Sequence, residues 1–241
     1  MADGKSLKEQ NAGLIRAAMI GHIVAFAWIA TEPLRLLSMN GRMLAARLEA
    51  AAAPGTAAFG LIVVASLLLL GLINPNWRDR IMHWRWHDPL PGCRAFTRVG
   101  PLSSHVNMAV LEANYGPLPL AGTEQNQLFY RIYREFRNDV GVLDAHGRYL
   151  AARDIGTITA LVMIPLPWLA WWASGNGGRA LVYGLVLFLV FALCVIAAKN
   201  YSWRMVQHVL ALASSEPSVS GGWLGKECAH IEKPAGVSTG N

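Results

Sequence analysis

The sequence predicts an all-α membrane protein with about four transmembrane helices and a helical cytoplasmic domain inserted between the second and the third. Apolar residues make up 54% of the chain and charged residues only 15%, whereas soluble domains carry about a quarter charged residues. Long apolar runs occur both before residue 74 and after residue 153. The segment between them, residues 74–153, is polar, and its basic residues are ten arginines without a lysine.

The first apolar run covers about residues 14–30 and is followed by a polar stretch that begins at Thr31. It is short for a span of about 20 residues, although Arg16 near its start can extend its side chain to the interface. A basic start followed by a short apolar core is also typical of a signal peptide; we expect the segment to be retained as a first helix. The sequence leaves open whether this helix crosses the membrane.

The second span is predicted over residues 56–73, which carry no charge and have nearly the helical length of a bilayer. Asn74 and Pro75 end this run. Before it, residues 34–52 are predicted to form an amphipathic helix, because leucines recur near helical spacing and arginines lie apart from them. Such a helix lies on the membrane surface, packs against a partner subunit or simply connects two helices. Residues 1–73 therefore form the predicted N-terminal membrane region.

A transmembrane hairpin is predicted over residues 154–200. Its two spans, 155–173 and 179–198, are joined by a short turn rich in glycine and asparagine. Pro165 lies inside the first of these spans, but membrane helices tolerate proline when neighbouring helices satisfy the freed carbonyl groups. The remaining residues, 201–241, are predicted to form a cytoplasmic tail whose Ser-, Gly- and Pro-rich end is disordered.

Basic residues near the ends of the spans predict their orientation. The turn of the hairpin carries only Arg179, whereas several cations flank its other ends: Arg148, Arg153, Lys199 and Arg204. Because cytoplasmic flanks are enriched in Lys and Arg, the 74–153 segment and both termini are predicted to be cytoplasmic. Residues 31–55 would then lie outside with three arginines, unless residues 14–30 do not span. The net charge of +6 fits a protein held against an anionic leaflet.

A metal site finds little support in the sequence. His83 and His87 are four residues apart, a spacing at which two imidazoles on a helix can share a metal. Neither is followed by the glutamate of a zincin motif, and a belt of aromatic and basic residues at the membrane surface is the simpler interpretation. The three cysteines, Cys93, Cys194 and Cys228, are far apart and indicate neither a disulfide framework nor a zinc knuckle. We therefore expect no metal and no cofactor.

The strongest helix predicted in the polar segment covers residues 125–137, where arginines recur every three residues with tyrosines between them. The planar guanidinium group suits phosphate, and a tyrosine ring offers a face on which a base can stack. The candidate ligand-binding residues are Arg131, Arg134, Arg137, Arg148 and Arg153 for phosphate, with Tyr130 and Tyr133 for stacking. The alternative is a solvated helix face whose arginines meet lipid phosphates or the nearby Glu135 and Asp139.

No catalytic motif is evident. The chain contains no GxSxG, HExxH, Walker or GxGxxG pattern. Ionisable residues inside a membrane span mark function, and His22 is the clear example here, lying near one end of its apolar run. We therefore expect that the protein is not an enzyme and has no catalytic residues.

Four short blocks carry a resemblance to a known family: residues 87–96 (HDPLPGCRAF), 116–119 (GPLP), 125–133 (QNQLFYRIY) and 146–154 (HGRYLAARD). Taken together they resemble small bacterial membrane effectors of anti-phage operons, specifically the Hailong-type effectors encoded beside a nucleotidyltransferase. The similarity covers roughly residues 75–170 and contains no catalytic signature. No gating residue carries over individually.

The resemblance implies a homo-oligomeric, multi-pass protein of the bacterial inner membrane that forms an ion channel and acts by disrupting the membrane potential. Its partners would be the lipid bilayer and a nucleotide or oligonucleotide made by the neighbouring nucleotidyltransferase, without duplex nucleic acid. Two other classes stay open from the sequence. One is a non-conducting anchor or scaffold for a cytoplasmic partner, and the other is a lipid-modifying enzyme.

Overall fold

The fold is known from a computed structural model that describes residues 7–31 and 41–215, and every regular element in these ranges is a helix. Eight α-helices follow one another there: α1 (Leu7–Thr31), α2 (Gly41–Gly71), α3 (Pro75–His83), α4 (Met108–Tyr115), α5 (Gly122–Phe136), α6 (Val140–Val162), α7 (Pro165–Ser174) and α8 (Gly177–Ser215). A short 3₁₀-helix (Pro91–Arg94) and a π-helix (Ala95–Val99) connect α3 to α4. The C-terminal end that the sequence predicts to be disordered lies outside the described residues, except for Ser214 and Ser215, which belong to the last turn of α8.

Two of these helices are long and apolar enough to cross a membrane: α1, over Asn11–Ile29, and α8. The pair α6 and α7 counts as a third if it is one broken span, and its two parts are bent by 49°. Proline explains this bend, since Pro165 at the start of α7 has no N–H group to continue the hydrogen bonds of α6. The described chain is thus a helical membrane protein with two or three candidate spans.

The region of the predicted second span is organised differently from the prediction. Helix α2 runs without a break through Pro54, so the predicted amphipathic helix 34–52, where described, is continuous with the predicted span 56–73. Residues 34–40 lie outside the described ranges. The described apolar part of α2, Ala52–Ala65, is shorter than a span. A fourth span therefore stays a prediction.

The chain divides into two compact units, and their limits differ from the predicted domain boundaries. The first unit comprises the residues up to Leu90 together with Leu143–Arg204, and the second comprises Pro91–Val142 with the residues from Met205 onward. The predicted cytoplasmic domain 74–153 is therefore divided between them. The ends of that segment belong to the first unit because Met82 of α3 is fully buried in a cluster with Tyr149, Phe191 and Val195.

The core of the first unit joins the candidate membrane spans to α2. Phe26, Ile62, Val162, Leu166 and Tyr183, from α1, α2, α6, α7 and α8 respectively, are all buried in one cluster. The rings of Phe26 and Tyr183 meet edge to face, with centroids 6.4 Å apart. Burying several large apolar side chains from five helices holds these helices in one arrangement.

A single amide organises the core of the second unit. The side chain of Gln125 on α5 is 1% exposed. Its Oε1 accepts hydrogen bonds from the backbone N–H groups of Phe96 and Thr97 (3.1 and 3.2 Å), and its Nε2 donates to the carbonyl of Leu120 (2.7 Å). Buried polar groups are stable only when their hydrogen bonds are made, so this amide fixes α5 against the π-helix.

Candidate functional site

A buried carboxylate on α3 is the centre of a polar site in the first unit. Asp79 is 1% exposed, and the hydroxyl of Tyr149 on α6 donates a hydrogen bond to its Oδ1. The Nη1 atom of Arg153, one turn further along α6, lies 3.6 Å from the same oxygen. A charge removed from water requires such partners, so α3 is held against α6 by polar contacts at this point.

A second carboxylate extends this site. The Oδ1 atom of Asp154 lies 3.2 Å from Nε of Arg153 and 3.4 Å from Nη1 of Arg78. Arg78 also donates from Nε and Nη2 to the carbonyl of Ile73 (3.2 and 3.1 Å), which lies in the short link between α2 and α3. Two arginines and two aspartates thus form a charge-balanced group, which we call the Asp79–Arg153 network (Arg78, Asp79, Tyr149, Arg153 and Asp154).

Burial dominates the protonation behaviour of Asp79. Loss of water raises the pKa of its carboxyl, while the Arg153 guanidinium and the Tyr149 hydroxyl act in the opposite direction. The partners therefore compensate the burial only in part. A carboxylate in this position is sensitive to the loss of either partner.

The seven predicted ligand-binding residues are divided between the two units. Arg148 and Arg153 belong to the first unit, and the arginines and tyrosines of α5 belong to the second. Arg153 is largely buried between Asp79 and Asp154. Arg148 is exposed, pairs with Asp144 at 2.8 Å and lies 5.9 Å from the ring centroid of Tyr201.

The α5 helix presents the other predicted residues on one surface. Its buried side consists of Gln125, Phe129 and Ile132. Its exposed side, together with the C-cap residue that follows it, carries four side chains that we call the α5 face: Tyr130, Arg131, Arg134 and Arg137. Tyr133 lies half-buried at the edge of this face, and its ring stacks on that of Tyr130 with centroids 6.0 Å apart and planes at 26°. Burial and the neighbouring Tyr130 raise the pKa of Tyr133, so its hydroxyl stays a hydrogen-bond donor at neutral pH.

Within the candidate membrane spans, His22 is buried and makes a polar contact. The apolar run in the sequence places His22 near one end. The candidate span in α1 covers Asn11–Ile29, however, so His22 lies well inside it. Its Nε2 is 3.1 Å from the hydroxyl of Thr159 on α6, and the hydroxyl of Tyr183 on α8 lies 3.4 Å from its carbonyl. Three helices therefore meet at one polar point inside the apolar core.

His83 and His87 do not form the helical pair that would bind a metal. Helix α3 ends at His83, because Trp84 adopts a left-handed conformation (φ 53°) as the C-cap. The ring of His83 instead lies 6.1 Å from that of Tyr149. In the described ranges, no three His, Cys, Asp or Glu side chains are grouped as a metal site would require.

The sequence interpretation missed the two aspartates of the network. A signal was present, since Asp79 and Asp154 each follow an arginine directly and lie beside an apolar helix. Charged residues adjacent to spans are costly unless they are paired. These dipeptides indicate that the two aspartates need cationic partners, but only the fold shows that the two halves meet.

Comparison with known proteins identifies no relative of this chain. The chain matches no protein-family model, no curated protein and no solved structure. The resemblance to the Hailong-type effectors therefore stays a prediction.

Proposed function

We propose that the chain is an oligomeric inner-membrane effector whose cytoplasmic α5 face binds a nucleotide or oligonucleotide and thereby controls an ion pore. The observation that carries this proposal is that exposed guanidinium groups and a stacked pair of tyrosine rings lie on the same side of α5. We further propose that α2 supplies a fourth span, that both termini are cytoplasmic and that the pore acts in anti-phage defence. These last points rest on the sequence pattern and on the resemblance to the Hailong-type effectors.

The α5 face has the chemistry that an anionic, base-containing ligand requires. Arg134 and Arg137 are exposed and make no ion pair within the part of the chain that the structure describes. Glu135, between them, accepts a hydrogen bond from the hydroxyl of Tyr115 at 3.2 Å. The guanidinium groups are therefore available for phosphate oxygens, while the ring of Tyr130 is exposed for a base.

The rigid attachment of α5 supports this placement. The buried side of the helix is fixed by the hydrogen bonds of Gln125 and by Phe129 and Ile132. Because the backbone of the helix is held, only the side chains of the α5 face have to be ordered when a ligand binds. Preorganisation of this kind lowers the entropic cost of binding.

The polar contact at His22 supports the pore part of the proposal. Ionisable groups within spans are rare, and they mark pathways for ions or protons in many membrane proteins. The side of α8 that carries Leu181, Leu185 and Phe188 is exposed in the single chain. Oligomerisation through such apolar helices would bring several copies of the His22–Thr159 contact around one axis.

Flux through reconstituted vesicles tests both parts of the proposal. Vesicles loaded with a potassium-sensitive dye are measured with and without ATP, GTP, CTP, UTP and short oligoadenylates. One of these probes is expected to change the flux. Its binding should weaken by about tenfold or more in the Arg134→Gln, Arg137→Gln double variant, since each charge-assisted hydrogen bond is worth about 1.5–3 kcal/mol.

The matched control is Arg42→Gln, which removes an exposed arginine from α2 in the other unit. This variant should bind and conduct like the wild type. The absence of flux in every condition would rule out the pore. Intact complex formation with a protein partner but without flux would favour the alternative, a membrane anchor or scaffold.

A further inference from the structure

The α8 helix carries a groove whose lining divides into an apolar and a polar part. The groove has a volume of about 550 Å³. Leu193 and Ile196 line one end, and both are exposed by more than half. Asn200 and Arg204 line the other end and are also exposed. All of these residues belong to the first unit.

The length of this groove suits a molecule that enters a bilayer. Leu193 and Arg204 are eleven positions apart in α8, which corresponds to about 16 Å along a helix. The hydrocarbon core of a bilayer is about 30 Å thick, so the groove covers about the depth of one leaflet. Tyr201 and Trp203 line the polar end, where aromatic side chains occur at membrane interfaces.

The charge of the polar end is positive and uncompensated. Arg204 makes no ion pair within the described ranges, and the lining contains no carboxylate. Two further cations lie against aromatic rings nearby. The Nζ atom of Lys199 is 5.8 Å from the ring centroid of Trp84. The guanidinium of Arg148 is 5.9 Å from the ring centroid of Tyr201, but it is paired with Asp144 at 2.8 Å and adds no net charge.

We propose that this groove binds an anionic phospholipid. Arg204 and Asn200 donate hydrogen bonds to the headgroup phosphate, and one acyl chain lies along Leu193 and Ile196. The division of the lining, the positive charge and the length all fit this occupant, and phosphate is the anion for which a guanidinium group has the best geometry. The proposal requires that α8 lies in a membrane, and it does not require that the chain conducts ions.

A second groove in the same unit provides an internal comparison. It has a volume of about 460 Å³ and lies between α7 and α8, where Trp168, Trp171, Leu181 and Leu185 line it without any charged side chain. Acyl chains can fill such a groove, but no group in it distinguishes one headgroup from another. Headgroup selection is therefore expected at the Arg204 groove and not at this one.

Native mass spectrometry of the full chain released from nanodiscs tests the proposal. The nanodiscs contain equal amounts of phosphatidylglycerol and phosphatidylcholine, and the lipids that stay bound are counted. The wild type should retain phosphatidylglycerol with about a fivefold preference, as expected for one cation at an anionic surface. Arg204→Gln should abolish this preference, and Arg204→Lys should keep part of it.

The controls separate this site from the nucleotide site and from other occupants. Arg137→Gln on α5 and Leu181→Ala in the second groove should keep the preference. Free inorganic phosphate should not displace the lipid, because it lacks the acyl chain. Equal retention of both lipids by the wild type, or an unchanged preference in Arg204→Gln, would overturn the proposal. Disulfide cross-linking of two copies through Ile196→Cys would also overturn it, since the groove would then be an interface between subunits.

Discussion

The hydroxyl of Tyr149 donates a hydrogen bond to the buried carboxylate of Asp79, 70 residues earlier in the chain. This bond joins α6, one part of a candidate membrane span, to the short helix α3. Arg153 reaches the same carboxylate from the next turn of α6. The position of α3 therefore depends on polar contacts whose partners are far apart in the sequence.

Removing the Tyr149 hydroxyl should destabilise the first unit. In Tyr149→Phe the carboxylate of Asp79 loses a buried donor, and an unsatisfied buried group costs about 1–3 kcal/mol. We expect a lower midpoint of thermal unfolding in detergent, measured by circular dichroism. Tyr130→Phe on the exposed α5 face is the control and should unfold like the wild type. Equal midpoints for Tyr149→Phe and the wild type would show that the bond contributes nothing to stability.

The raised pKa of Asp79 predicts how this stability depends on pH. The folded state binds the proton more tightly than the unfolded state, whose carboxyl titrates near 3.8. The contribution of Asp79 to stability is therefore fully present below that pH and is lost as the pH rises through the raised folded-state pKa. Asp79→Asn cannot titrate, so the difference in unfolding midpoint between wild type and variant should change over this window. A difference that is constant with pH would contradict the assignment.

The sequence was sufficient to predict those features that depend on local pattern. The helix predicted over residues 125–137 corresponds to α5 (Gly122–Phe136), since its apolar residues recur at helical spacing. The apolar runs likewise indicate α1 and α8 as helices that can span a membrane. Periodicity and composition are properties of neighbouring residues, so they can be recognised without the fold.

Features that depend on tertiary contacts were not accessible in this way. Arg153 was predicted to bind phosphate, and only the fold places it beside Asp79 of α3. The continuity of α6 across residues 153–154 was missed because a polar half and an apolar half follow each other in one helix. Helix α3 ends at His83 because Trp84 adopts a left-handed backbone conformation. A bulky residue such as tryptophan rarely adopts it, so the sequence does not indicate this helix end.

Close packing around Gly156 on α6 predicts a sharp response to an added methyl group. A Cβ atom there would lie 2.5 Å from Cε of Met82 and 2.9 Å from Cβ of Cys194. Overpacking of this kind costs about 1–3 kcal/mol, so Gly156→Ala should lower the unfolding midpoint. Gly184→Ala on α8 is the matched control, because its Cβ would meet Pro167 at an ordinary 3.5 Å. Met82→Ala leaves a cavity of its own, so the double variant Gly156→Ala, Met82→Ala should lose less than the sum of the two single losses; strict additivity would contradict this source of strain.

The contact between His22 and Thr159 predicts a coupling inside the membrane helices. The Nε2 and Oγ1 atoms are 3.1 Å apart, and hydrogen bonds between membrane helices contribute about 0.6 kcal/mol on average. His22→Leu and Thr159→Val should therefore each destabilise modestly, while the double variant should lose less than the sum of the two. The free energies of unfolding of the wild type, the two single variants and the double variant are measured by adding sodium dodecyl sulfate to the protein in a mild detergent. Thr157→Val is the control on α6, because it removes the same kind of bond to a carbonyl of its own helix that Thr159 also makes, but not the contact with His22. Strict additivity of His22→Leu and Thr159→Val would mean that the two side chains do not interact, and would remove one of the observations that support the proposed pore.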